Sequence, residues 1–575
     1  GISMEEIHKL RESLETFREM EKEMPIGGSE AKKLEWLRSQ IIGEGADFLS
    51  PFGWRRMTYA DHTATGRSLF FIERFIERSV LPFYGNSHTS DSYVGRRTTR
   101  MVQEASRYVK RCLGGGADDV ILFCGSGCTA AIKRLQEVLG VSVPSNMRER
   151  VLNCLSLNER WVVFVGPFEH HSNLLSWRQS LAEVVEIGLK DGELDIEDFK
   201  QKLEDYKLAN RPILGSFSAC SNVTGIYCDT RRIASLLHEY GGFACFDFAA
   251  SGPYQEIEMK SGKMDGYDAI FLSPHKFLGG PATPGVLLMN RFLYRLESSP
   301  PSTCGGGTVE YVNGYQEKDT LYVEDIEERE NAGTPQIIQI IRAAMAFWVK
   351  EYIGHQLIHN QEEVFAFKSL QRMSKNKLIW VLGGTALKRQ ATVSFLIHST
   401  DKEESGKPLH GPFVAVLLND LFGIQARGGC ACAGPYGHAL LGVNHEQSLR
   451  IRSMIEKGYH GVKPGWTRVS FPYYTSVEEF EFILAAVDFV AQYGQRFLSL
   501  YSLNLNTGSW CLKKTALDGK PQPSNAREAS KPPAAADCFA SYLKAAKDIA
   551  EELPEFPPPR KLPIDIDPQI IQYRI

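Results

Sequence analysis

Two stretches of the 575-residue chain carry side chains whose types and spacing suit chemistry. In "YDAIFLSPHKFLGGPATPGVLLMN", Lys276 follows an apolar run, with Ser273 and His275 just ahead and two glycines close behind. Burying an unpaired ammonium is costly. Such a lysine is therefore either a solvated loop residue or one that forms a Schiff base with a carbonyl compound. In "RGGCACAGPYG", Cys430 and Cys432 stand one residue apart in a glycine-rich run behind Arg427. The pair reads as half a metal site, a redox couple, or a loop with one nucleophilic thiol. The metal reading is weak, because only His438 and His445 lie near and no second zinc-like pair accompanies them. A disulfide between thiols so close in sequence would be strained.

If Lys276 is a Schiff-base lysine, pyridoxal phosphate is the carbonyl cofactor it implies, and two further groups are required. One is an acid to pair with the pyridinium nitrogen. Asp247 ends the apolar run "FACFDFAAS", where a carboxylate needs a cationic partner. The other is a turn that opens a helix toward a phosphate. "GSGCTAAI" supplies Gly125, Gly127 and Thr129 directly after "VILFC". Each signal alone is common, but their order along one domain is much harder to obtain by chance.

The elements that must position these residues alternate. "VILFCG", "WVVFVG", "PILGSFS", "FACFDFA", "AIFLS" and "GVLLMN" are short apolar runs, and helical segments separate the first four. That pattern implies an α/β domain with a mostly parallel sheet covered on both faces. Ligands of such sheets gather at the carboxyl ends of the strands. A helical stretch follows at 335–354, then an α+β region with strands "ATVSFLI" and "TRVSFP". The last 55 residues hold 10 of the 28 prolines, which suggests an extended tail interrupted by one helix near "FASYLKAAKDIAEEL". The expected division is a helical segment at 1–55, a large domain at 56–355, a smaller one at 356–503 and a Pro-rich extension at 504–575.

Composition excludes several classes. A net charge of −4 without a basic block gives no reason to expect nucleic acid. No apolar run approaches the roughly 18 residues of a membrane span. "MEEIHKLRESLETFREMEKEM" is amphipathic, with Ile7, Leu10, Leu14, Phe17 and Met20 on one face, and has no apolar signal core. The 12 cysteines lack disulfide-scaffold spacing. A reducing, cytoplasmic setting is the expectation, with organelle targeting left open.

Taken together, "YADHTATG", "YGNSHTS", "FCGSGCTAAI", "EHHSNLLSW", "SACSNVTG", "FDFAAS", "LSPHKFLGG", "ENAGTP", "RGGCACAGP" and "TRVSFPYY" resemble, in order and spacing, the class V aminotransferase group of fold-type I pyridoxal-phosphate enzymes. Within that group the chain is most similar to the cysteine desulfurases, and especially to the desulfurase domain of molybdenum-cofactor sulfurases. The resemblance covers about residues 55–500. It implies a large domain with a mostly parallel seven-stranded sheet flanked by helices and a smaller α+β domain.

The resemblance also implies roles. Lys276 would hold the cofactor and move the substrate Cα proton, Asp247 would keep the ring nitrogen protonated, and His170 would stack on the ring and assist proton transfer. His171 would pack. Asn222 would touch the ring's phenolic oxygen or the substrate. Thr129, the backbone at Cys128, Ser273 and His275 would hold the phosphate, with Thr334 reaching it from a neighbouring subunit of a homodimer. Asn86 and His88 would belong to a substrate-side loop, and Arg468 would grip the substrate α-carboxylate in the bidentate manner of a guanidinium. The catalytic cysteine falls on Cys432, with Arg427 favouring its thiolate. The implied activity converts L-cysteine to L-alanine, leaving a persulfide on Cys432 for an acceptor protein. The other readings are a class V enzyme acting on another amino acid (a C–S lyase, epimerase, kynureninase-like enzyme or aminotransferase) and a non-catalytic scaffold. Two departures stand out: Ala250 occupies the place of a usual glutamine, and the turn "FCGSGCTAAI" is one residue longer than usual and lacks the common Glu after the threonine. A long insertion at 438–466 also precedes Arg468.

Overall fold

Seven strands pair into one sheet in a computed structural model that describes residues 22, 28–399, 406–519 and 533–575. The amphipathic run that begins at Met4 lies outside the described residues, apart from residue 22. The strands are β1 (Asp119–Cys124), β2 (Val162–Val165), β3 (Glu183–Glu186), β4 (Ile213–Ser218), β5 (Phe243–Asp247), β6 (Ala269–Leu272) and β7 (Gly285–Asn290). Their order is β1-β7-β6-β5-β4-β2-β3. β7 runs antiparallel to both its neighbours, and the other neighbouring pairs are parallel. β2, β4, β6 and β7 are buried at every position, because helices cover both faces. β3 departs from expectation. "HSNLLSWRQSLAEV" reads as one helix, but only Leu175–Arg178 is α-helical before the chain turns into this half-buried edge strand.

The chain divides into two compact units. The first comprises the stretch ending at Ile42, Ala64–Ser221 and Tyr227–His359 and holds the seven-stranded sheet. The second comprises Gly43–Thr63, Asn222–Ile226 and Asn360–Ile575. These bounds differ from those suggested by the sequence. Residues 43–63 form a hairpin (Asp47–Ser50 with Gly53–Arg56) rather than part of a helical segment. Arg55 Nε donates to the Leu421 carbonyl and Ser50 Oγ to that of Asp420, both at 2.7 Å, which ties the hairpin to its own unit.

The second unit is built on a four-stranded sheet of β8 (Ile379–Val381), β9 (Thr392–Ile397), β10 (Arg427–Gly429) and β11 (Trp466–Ser470), in the order β8-β9-β11-β10. Its core takes in the described residues 533–575 of the C-terminal extension, which are therefore not an extended tail. Helix Ala535–Glu551 lays Phe539 on Phe482 with ring centroids 4.0 Å apart and planes 7° apart. Beyond it Ile566, Ile570, Ile571, Tyr573 and Ile575 are buried in the same core. Proline density marks the irregular backbone here, while the interspersed isoleucines and the tyrosine decide the packing. Phe539→Ala is expected to cost about 3 kcal/mol, the usual price of emptying an aromatic core site, read as a lower urea midpoint at unchanged m-value.

An acid is buried in this unit as well. Glu362 accepts the Ala391 amide at 3.1 Å on Oε2, while Oε1 has no partner. Burial pushes its carboxyl up to about 8. The folded state therefore holds this proton more tightly than the unfolded chain. Its contribution to stability is complete below about pH 4.5 and is lost as pH rises through about 8. Glu362→Gln is expected to remove that slope, so the melting-temperature gap between variant and parent should move in the variant's favour between pH 5 and about 9. No helix among the described residues is long and apolar enough to cross a membrane.

Candidate active site

In the first unit, the expected cofactor residues converge at the carboxyl ends of β1, β2, β5 and β6. Asp247, the last residue of β5, is buried and accepts the Ala249 amide on Oδ1 at 2.9 Å. The Cys128 thiol also donates to Asp247, and burial together with that carboxylate holds the thiol well above its ordinary range. Cys128 is therefore an inert thiol, and its backbone is the useful group. The Cys128 amide donates to Ser273 Oγ at 2.9 Å, joining the turn after β1 to the turn after β6. Gly127 permits this approach, since its φ is +56° and a Cβ there would lie 2.9 Å from Ser273 Oγ. The helix Gly127–Leu139 has no side-chain cap from Ser126, and Ser273 Oγ takes its Cys128 amide instead.

Lys276 ends the single turn Pro274–Lys276, with its amide bonded to the Ser273 carbonyl at 3.0 Å. His275 beside it is held by Thr65, whose Oγ1 lies 3.0 Å from Nδ1, and by the Gly66 amide on its carbonyl at 2.9 Å. A Cβ on Gly66 would lie 2.2 Å from the Phe277 carbonyl oxygen, which requires glycine there. Burial first, and the Lys276 charge second, lower His275 to about 4, so this ring is neutral. His170 follows β2. Its Nδ1 accepts the Ser172 amide at 3.1 Å, so the neutral ring carries its proton on Nε2. Ser172 Oγ also meets Thr129 Oγ1 at 2.6 Å, linking the ring-side and phosphate-side groups.

Glu169 anchors the residue before that histidine. Its carboxylate accepts from the Gly166 and Ser218 amides, Ser218 Oγ and Asn173 Nδ2 at 2.6–3.1 Å. Burial nevertheless pushes it up to about 7. Asn86, His88 and Thr334 form a separate group. Asn86 Nδ2 donates to Thr334 Oγ1 at 3.2 Å, and Ser87 Oγ meets His88 Nδ1 at 3.0 Å. None of the three is hydrogen-bonded to the Ser273–Lys276 turn.

The second unit holds the remaining residues. Arg468 on β11 is 3% exposed. Nη1 donates to the Asn222 carbonyl at 2.9 Å and Nη2 to Asp61 Oδ1 at 3.2 Å, while Nε has no partner. Asn222 Nδ2 donates to the Ala431 carbonyl at 2.8 Å, and its Oδ1 is buried and unpaired. Asn222 thus ties the arginine to the cysteine loop, a role beyond the one its motif implied. The loop holds two consecutive left-handed residues, Ala431 (φ +51°) and Cys432 (φ +53°). This geometry is uncommon outside glycine and strains the turn. Cys432 is exposed. Cys430 is half-buried, donates its thiol to the Pro464 carbonyl at 2.9 Å, and is pushed up by its partial burial. The two cysteines are therefore unequal, and Cys432 is the accessible one.

Arg427 corrects an expectation. Its Nε and Nη2 both lie 3.2 Å from Asp61 Oδ2, so its charge is matched by a carboxylate rather than left to favour a thiolate. Sequence reasoning missed Asp61, Thr65, Glu169 and Ser172. All four lie inside motifs already singled out, so the signal was adjacency to a recognised residue.

A mostly parallel sheet of this order, with a lysine, an acid and a glycine turn at its carboxyl edge, is the large-domain architecture of fold-type I pyridoxal-phosphate enzymes. The aminotransferase class-V family profile matches residues 58–483, and the chain belongs to that family. Its relatives include a probable cysteine desulfurase of Staphylococcus aureus (strain N315), 28% identical over 387 residues that span 66% of this chain and 84% of the relative. A second, from Staphylococcus epidermidis (strain ATCC 12228 / FDA PCI 1200), is 27% identical over the same shares. Among solved structures, the apo cysteine desulfurase of Thermococcus onnurineus NA1 is 22% identical and covers 80% of this chain and 98% of its own, with a TM-score of 0.61. The cysteine desulfurase CsdA of Escherichia coli is also 22% identical with the same coverage, with a TM-score of 0.57. These structures share the fold.

Proposed function

We propose that this chain is a pyridoxal-phosphate-dependent cysteine desulfurase. Two observations support binding of the cofactor. Asp247 is a buried carboxylate at the end of a strand, which suits a protonated ring nitrogen. The hydroxyls of Ser273 and Thr129 at the start of the helix Gly127–Leu139 suit a phosphate. When bound, pyridoxal phosphate supplies an electron sink for charge released at the substrate Cα. Asp247 keeps positive charge at the ring, and His170 supplies a flat ring with a proton on Nε2. Ser273 and Thr129 would hold the phosphate, with the Cys128 amide fixing Ser273, while neutral His275 supports that turn.

Arg468 binds the α-carboxylate of L-cysteine through its unpaired Nε and the remaining protons of its terminal nitrogens. Lys276 Nζ takes the Cα proton. The Cys432 thiolate attacks the substrate sulfur, so an S–S bond forms as the Cβ–S bond breaks. Cβ is then protonated, Lys276 Nζ returns the proton to Cα, L-alanine leaves, and Cys432 carries a persulfide for an acceptor. The observation that carries this reading is the exposed Cys432 at the crest of a strained turn, hung through Ala431 and Asn222 from the carboxylate-binding arginine. A homodimer, with Thr334 serving the neighbouring site, and a cytoplasmic setting complete the proposal. Incubating the holoenzyme with L-cysteine and quantifying L-alanine tests it. Alanine formed beyond cofactor stoichiometry with a reductant present is the expected result, and its absence would move the search to another amino-acid substrate.

A further inference from the structure

β10 and β11 run antiparallel with Arg427 directly opposite Arg468. Like charges set opposite each other across a strand pair repel. Asp61 lies between them, giving Oδ1 to Arg468 and Oδ2 to Arg427, all at 3.2 Å. The side chains grade outward, Arg468 at 4% exposure, Asp61 at 16% and Arg427 at 51%. Two guanidiniums and one carboxylate leave one positive charge, and the buried unpaired donor is on the inner arginine. One carboxylate satisfies that remainder.

We propose that Asp61 determines specificity by claiming Arg427, so that the site takes amino acids with one carboxylate and an uncharged side chain and discriminates against anionic side chains. This rests on the reading of Arg468 as the α-carboxylate anchor. A substrate side chain that Cys432 attacks faces the loop that Arg427 opens. An anionic side chain there needs a free guanidinium and meets one already paired. Asp61 neither reacts nor anchors the substrate; it acts through the two arginines.

The test is calorimetric titration of the holoenzyme with L-alanine and L-aspartate, probes that differ by one side-chain carboxylate. Asp61→Asn is expected to lower the ratio Kd(aspartate)/Kd(alanine) by about tenfold, the effect of one new charge-assisted contact. Adding Arg427→Gln to that variant should abolish the gain. A ratio within twofold of the parent in Asp61→Asn, or an equal gain in the double variant, overturns the proposal. If Asp61→Asn does not fold, Arg427→Gln alone decides. Its ratio should match the parent, because Arg427 is already taken, and a tenfold rise contradicts the assignment. A selectivity change in a protein that forms no persulfide would refute desulfuration and leave Asp61's role standing. Persulfide formation with unchanged selectivity would do the reverse.

Discussion

Lys276→Ala is expected to cut L-alanine formation from L-cysteine by about 10³-fold, in line with removal of a positioned proton-transfer group. It should also abolish covalent retention of the cofactor. After borohydride treatment and denaturation, the parent chain should carry the reduced cofactor mass on the Lys276 peptide, and the variant should not. The structure supports so large an effect because the lysine sits in a tightly fixed turn. The Ser273 carbonyl holds its amide, Thr65 and Gly66 hold its neighbour, and the Cys128 amide holds Ser273. Lys276→Arg should not rescue it, since a guanidinium cannot shed its proton near neutral pH. Retention of turnover in either variant would mean that this lysine is not the proton-transfer group.

Cys432→Ala carries the second large effect. Alanine formation should fall by about 10³-fold or more, as for other covalent nucleophiles removed from their sites, while the cofactor spectrum and the unfolding midpoint stay close to the parent's. Cys430→Ala provides the contrast. Its thiol is half-buried, spent on the Pro464 carbonyl and pushed up, so persulfide should still form on Cys432 in that variant. The predicted asymmetry follows from the turn, in which Cys432 faces outward and Cys430 faces the chain's own backbone.

Much of this was legible in the sequence because the chemistry sits on punctuated apolar runs. Asp247 and Lys276 each follow a strand that is apolar enough to recognise, and burial of charge at such places is unusual enough to notice. β3 was not legible, since an edge strand of two valines between glutamates follows directly on a helix. The packed C-terminal extension was hidden by its prolines. Its few isoleucines, Tyr573 and Phe539 bury against residues far away in sequence, and no local pattern reports that. Asp61 lies inside a recognised motif, but its role was hidden for a similar reason. A single aspartate before a histidine carries no signal of its own, and its meaning comes from Arg427 and Arg468, more than 360 residues later. Arg427 shows the same limit from the other side, because proximity in sequence to a thiol did not decide which charge it would meet.

The most direct measurement is mass spectrometry of the Cys430–Cys432 peptide after one turnover of the holoenzyme with L-cysteine. A gain of about 32 Da, one sulfur atom, localised by fragmentation to Cys432 and matched by one equivalent of L-alanine, is the predicted result. Alanine released with no added sulfur on Cys432, or with the sulfur on Cys430, would contradict the assignment of Cys432 as the nucleophile.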